Sequence, residues 1–131
     1  MRLLLDTHIA LWAITDDARL PRIARELIGE LGNEVVVSAA SVWEITIKYA
    51  LARGLPSDMP ISGRQALLYF RASGYTLLSV TAEHAAAVAD LPTLHRDPFD
   101  RMLVAQAFHE PLRLMTHDSG LSSYGDAILL V

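Results

Sequence analysis

A chain of 131 residues, 52% of them hydrophobic, can bury one core, and one domain spanning residues 1–131 is expected. The absence of cysteine excludes disulfides and zinc–thiolate sites and fits a reducing cytoplasm. A net charge of −4 argues against a protein that holds nucleic acid by bulk electrostatics, but not against one that meets it through a metal-loaded acidic site.

Arg2 to Leu5 is a short continuous apolar run, as in a strand covered on both faces. Asp6 and His8 interrupt it too early for a secretory signal, and no stretch approaches the ~18 apolar residues of a membrane span. Ile9 to Ile14 reads as a helix that starts directly behind Asp6. Pro21 opens a second helix, expected to bury Ile23, Leu27, Ile28 and Leu31 and to stop at Gly32. Glu34 to Ser38 is a β-branched strand, and a helix from about Ala39 to Arg53 follows, with Gly54 as its stop.

Leu55 to Pro60 reads as a proline-containing loop. Ser62 and Gln65 form a capping box for a helix to about Ser73, with Leu67, Leu68 and Phe70 on its buried side. Tyr75 to Val80 is a third strand, and Thr81 caps an alanine-rich helix ending near Leu91-Pro92. Asp97-Pro98-Phe99-Asp100 starts the next helix: Asp97 is an N-cap, Pro98 suits the first helical position, and Asp100 sits at the positive end of the dipole. Leu112 to Thr116 is a fourth strand, Ser119 to Gly125 a turn-rich connection, and Ala127 to Val131 a last strand. Trp12, Trp43, Phe70 and Phe99 read as core residues.

Strands alternating with helices imply a parallel sheet whose strands all end at one rim. Taken singly, Asp6, Asp97 and Asp100 read as helix caps, and Glu44 as one half of a solvated pair with Lys48 one turn on. Placed together they differ. Asp6 follows the first strand, Asp118 follows the fourth, Glu44 lies early in the helix behind the second, and Asp100 opens a helix that must start at the same rim. If the first and fourth strands flank the topological switch point, the four acids converge there.

Such acids repel by on the order of 4 kcal/mol per pair at ~4 Å. A hard cation removes the conflict, and carboxylates suit Mg²⁺ or Mn²⁺. No glycine-rich phosphate loop is present, which leaves metal-dependent phosphodiester hydrolysis as the indicated chemistry. His8, His95, His109 and His117 lack the two-on-one-helix spacing of a zinc site.

Four pieces in order carry a resemblance over essentially the whole chain: Leu3-Leu4-Leu5-Asp6-Thr7-His8, Val37-Ser38 with Glu44 six residues on, His95 to Ala107, and Thr116-His117-Asp118. The chain resembles a PIN-domain ribonuclease, most like the toxin of a VapBC-type toxin–antitoxin pair. The resemblance implies an α/β, three-layer α/β/α fold around a mostly parallel five-stranded sheet. It also implies Mg²⁺ (or Mn²⁺) as cofactor, an RNA substrate, a homodimer, and an antitoxin that blocks the acidic rim. Asp6, Glu44, Asp100 and Asp118 correspond to the acidic quartet, as catalytic residues and metal ligands. Ser38 and Thr116 match supporting hydroxyl positions, and Asp97 is auxiliary. Arg96, Arg101 and Lys48 flank the site as candidate RNA contacts. A rival expectation is a catalytically idle PIN-like protein-interaction module.

Overall fold

The computed structural model describes residues 1–55 and 59–131; the Pro56, Ser57 and Asp58 part of the expected loop lies outside them. Five strands form one sheet: β1 (Arg2–Leu5), β2 (Glu34–Ser38), β3 (Thr76–Leu78), β4 (Arg113–Thr116) and β5 (Ile128–Leu130). Their order is β3-β2-β1-β4-β5, and every pairing is parallel. The sheet is therefore wholly parallel rather than mostly so.

β1 is the centre. Leu4 pairs with Val36 on one side and Leu114 on the other. Successive side chains leave a strand on opposite faces, so a strand covered twice needs an unbroken apolar run. Leu3 and Leu5 join one core cluster with Ile9 of α1 (Thr7–Ile14), Ala24 of α2 (Arg22–Gly29), Ile45 of α3 (Ala39–Ala50) and Phe70 of α4 (Gly63–Ala72). Leu4 joins the other with Leu103, Val104 and Ala107 of α6 (Pro98–His109). Each of these leucines is fully buried and contributes about 2 kcal/mol. The layers are α/β/α.

The remaining helix, α5 (Ala82–Ala87), is tied to α6 by a buried histidine. Thr81 accepts from the His84 amide, and His84 Nδ1 accepts from the Thr81 amide, so histidine fills the capping-box place of a glutamate. His84 Nε2 then faces Glu110 Oε2 at 2.7 Å. Short 3-10 helices cover Val88–Asp90 and Ser119–Tyr124.

Several helix faces differ from expectation. α2 ends at Gly29 rather than Gly32, and Ile23 and Leu31 are exposed. Only Ala24 is fully buried in that helix, with Leu27 and Ile28 packed part-buried against the same core. α3 ends at Ala50, with Leu51 as its cap. On α4 the buried pair is Ala66 and Phe70, one turn apart, and Leu68 faces solvent. Trp43, expected in the core, is 62% exposed. Ala40, Ser41, Glu44 and Ile45 take the buried face of α3, and Trp43 points away from it. Trp12 and Phe99 are only partly buried.

Gly63 marks the closest approach of α3 and α4. A Cβ there would collide with Thr46 Oγ1 and lie 3.2 Å from the Val42 carbonyl oxygen. Thr46 is held by its own bond to that carbonyl at 2.8 Å, so it has little freedom to turn aside. Gly63→Ala is expected to lower stability by about 2 kcal/mol in urea denaturation; an unchanged midpoint would contradict this contact.

Candidate active site

The chain runs from β1 outward to β2 and β3, then returns to the other side of β1 as β4. The order therefore reverses between β1 and β4, and a crevice opens beyond their C-terminal ends. Asp6 lies just past β1 and Asp118 two residues past β4.

Asp6 caps α1 and is 8% exposed. Its Oδ1 accepts from the His8 amide at 3.2 Å, and its Oδ2 accepts from Thr116 Oγ1 at 2.6 Å. Thr116 Oγ1 in turn accepts from the Asp118 amide at 3.0 Å. One buried hydroxyl thus ties the two strand ends together. Burial raises the Asp6 carboxyl above its ordinary value, and nearby Glu44 pushes the same way against the Thr116 bond.

Asp100 stands in the first turn of α6. Asp97 caps that helix, accepting from the Phe99 amide at 2.8 Å and the Asp100 amide at 3.2 Å. The Asp100 carboxyl is pushed up to about 6, first by burial and then by the charge of Asp6, with Asp97 adding to it. A hydrogen bond from His95 opposes the rise. His95 Nε2 lies 2.8 Å from Asp100 Oδ2 and 3.6 Å from Asp118 Oδ2. Asp118 Oδ1 accepts from the Gly120 amide at 2.8 Å.

Glu44 is 3% exposed, so its pair with Lys48 is not the solvated one that the segment taken alone would allow. Lys48 Nζ reaches Glu44 Oε2 at 2.6 Å, and its own side chain is 42% exposed. Glu44 Oε1 is buried without a hydrogen-bond partner. An orphaned carboxylate oxygen is costly to keep, and it lies in a helix that adjoins Asp6. The Lys48 ammonium is held up by Glu44, Asp97 and Asp100 together, although its partial burial works against it.

Asp6, Glu44, Asp97, Asp100 and Asp118 thus share one rim. Ser38 is fully buried and accepts from the Ala40 amide at 3.0 Å, which caps α3. Arg96, next to the Asp97 cap in sequence, is exposed. Arg101, expected as an RNA contact, is instead turned inward. Its guanidinium donates to the carbonyls of Val88, Pro92 and His95 at 3.1–3.4 Å and holds the loop before α6 in place.

Two members of the site were not among the predicted site residues: His95, weighed only as a zinc ligand and set aside, and Gly120. His95 lies in the stretch already marked by Asp97 and Asp100, and that position was its signal. Gly120 had none: a Cβ there would stand 3.0 Å from Asp118 Oδ1.

Two depressions flank the acids. A cleft of about 210 Å³ is lined by Asp6, His8, Trp12, His117 and Asp118. An apolar groove of about 440 Å³ is lined by Ala40, Trp43, Val80, Phe99 and Met102, with the Trp43 and Phe99 rings edge to face at 5.3 Å.

The donor set is all-oxygen apart from His95, and it is crowded and partly unsatisfied. These features fit a hard divalent cation. A second group, His84, His109 and Glu110, does not. Thr81 N–H can only donate to His84 Nδ1, so Nε2 keeps its proton for Glu110 and has no lone pair to offer.

A wholly parallel sheet with Asp6 and Asp118 just past its central strands, Asp100 at a helix start and Glu44 buried beside them defines an α/β protein with an acidic rim at its switch point. The family model for the PIN domain matches residues 3–127, and the chain belongs to that family. It is 31% identical over 122 residues to ribonuclease VapC22 of Mycobacterium tuberculosis, covering 92% of this chain and 90% of that protein. In fold it is similar to VapBC2 from Rickettsia felis bound to a DNA fragment from their promoter, with a TM-score of 0.67 and 16% identity over 100% of this chain and 98% of that one. A toxin–antitoxin complex from Klebsiella pneumoniae matches at 0.65 and 14%, over 97% and 95%. FitAcB from Neisseria gonorrhoeae matches at 0.62 and 19%, over 97% and 96%. Among the described residues, no helix is long and apolar enough to cross a membrane.

Proposed function

We propose that this chain is the toxin of a type II toxin–antitoxin pair and a Mg²⁺- or Mn²⁺-dependent endoribonuclease that hydrolyses RNA phosphodiester bonds. The observation that carries the reading is the convergence of Asp6, Asp100 and Asp118 at the β1/β4 rim, with buried Glu44 beside them, in a PIN-family chain related to a ribonuclease. Asp6, Asp100 and Asp118 would hold the cation, and Glu44, through its free Oε1, is a further ligand or orients the attacking water. Bound there, the ion supplies an activated water and charge compensation at the phosphate.

The chain's own residues do the rest. Thr116 and the His8 amide each donate to one Asp6 oxygen and so fix the orientation of the carboxylate. Asp97 fixes the start of α6, and with it the position of Asp100. Lys48 and Arg96 are the cations placed to meet substrate phosphates. The partner is a cognate VapB-type antitoxin that covers the rim, the toxin is a homodimer, and its compartment is the cytoplasm.

The test is incubation of the purified chain with single-stranded RNA. Endonucleolytic products are expected with Mn²⁺ or Mg²⁺ and none with EDTA. Metal-independent cleavage, or binding of an antitoxin with no cleavage of any RNA class, would contradict the reading.

A further inference from the structure

His95, Asp100 and Asp118 each offer a ligand atom within 4.8 Å of the other two. His95 Nε2 stands 2.8 Å from Asp100 Oδ2 and 3.6 Å from Asp118 Oδ2. Donors on adjacent corners of an octahedron with arms of ~2.1 Å are about 3 Å apart. The nitrogen is therefore spaced from Asp100 as a neighbouring ligand would be, and stands somewhat farther from Asp118.

The ring is not there by chance of a loose loop. Arg101 donates to the carbonyls of Val88, Pro92 and His95, and this strap fixes the backbone that carries the imidazole. The side chain is 23% exposed, shielded yet open to the rim. Gly120 lies on its other side, where an added Cβ would make only an ordinary contact with Nδ1 at 3.7 Å. Beyond the triad, Glu44 meets Lys48 through Oε2, but its buried Oε1 lacks a hydrogen-bond partner.

We propose that His95 is a nitrogen ligand of the rim's cation, beside Asp100 and Asp118, and that it makes the site prefer Mn²⁺ over Mg²⁺. This rests on the rim being a metal site. Mg²⁺ is best served by oxygen and water, whereas imidazole nitrogen adds affinity for a first-row transition ion. The ligating form is the Nδ1–H tautomer, with the Nε2 lone pair on the ion in place of its hydrogen bond to Asp100.

The test is Mn²⁺ binding to the intact protein, followed by electron paramagnetic resonance, with Mg²⁺ as competitor. The wild type is expected to show ¹⁴N coupling in the electron spin-echo envelope. His95→Gln should lose that coupling and bind Mn²⁺ about 10- to 100-fold more weakly, with Mg²⁺ affinity little changed. His8→Gln and His117→Gln, on the adjoining cleft, should keep it, and they hold the assignment in place if His95→Gln fails to fold. Coupling that survives in His95→Gln, or is lost in His8→Gln or His117→Gln, overturns the proposal. So does a loss of Mn²⁺ and Mg²⁺ affinity by the same factor. No Mn²⁺ binding by the wild type would instead bring down the metal-site reading itself.

Discussion

Asp6→Asn is expected to reduce RNA cleavage by roughly 10³-fold or more, a loss of about 4 kcal/mol of transition-state stabilisation, with the fold retained. The amide is nearly isosteric and can still accept from Thr116 Oγ1, which now bonds Asp6 Oδ2 at 2.6 Å. Its NH₂ would then meet the His8 amide, a donor against a donor, at a cost of about 1 kcal/mol. Removing a buried negative charge beside Glu44 and Asp100 works in the opposite direction. The metal-free melting temperature should therefore move little while turnover collapses. Single-turnover cleavage of a labelled RNA in Mn²⁺, with circular dichroism melting of the same sample, separates the two. Undiminished cleavage would sink the assignment of the rim.

The second large effect lies in the metal-free protein's response to pH. Folding raises the Asp100 carboxyl from 3.8 to about 6. The native state thus binds this proton more tightly than the unfolded chain does. Below about pH 4 both states hold it and the group costs nothing. Between 4 and 6 the unfolded chain releases it first, so stability falls as pH rises. Above 6 the loss is complete, on the order of 1–2 kcal/mol once solvent screening of this part-exposed group is allowed for. Burial moves Asp6 in the same direction.

A cation reverses the trend, because it binds the deprotonated carboxylates. At about 100 times its dissociation constant Mn²⁺ should restore ~2.7 kcal/mol, roughly 10 °C in melting temperature, at pH 7 and much less at pH 5. Asp100→Asn should flatten the metal-free slope. A melting temperature that rises from pH 4 to 7 without metal, or that ignores millimolar Mn²⁺ at pH 7, would contradict the crowded site.

Much of this was legible in the residues. Leu3-Leu4-Leu5 is apolar without alternation because β1 is buried on both faces, and Asp6 ends it at the rim. The start of α6 was equally plain, since Asp97, Pro98 and Asp100 each have a reason to stand where they do. Glu44 was ambiguous for a physical reason. Its spacing to Lys48 is the same whether the pair is wet or dry, and only the packing of α3 decides.

Trp43 failed differently. Hydrophobicity alone places it inside, but a helix has one buried face, and Ala40, Ser41, Glu44 and Ile45 had taken it. Arg101 looked like a phosphate contact because a guanidinium suits both phosphates and carbonyls, and the loop carbonyls are the nearer partners. His95 and Gly120 owe their places to loops, where no periodicity marks which side chain turns inward.

The sheet order has a consequence for synthesis. β1 is translated well before β4 but has it as one of its two neighbours. A chain still lacking residues 113–131 leaves the Asp6 carboxylate without Thr116 and the rim without Asp118. β1 and β2 can pair early, yet the four acids are assembled only when the final segment docks beside the first. A chain that lacks β4 therefore cannot assemble the acidic rim, however much of the β1–β2–β3 half has formed.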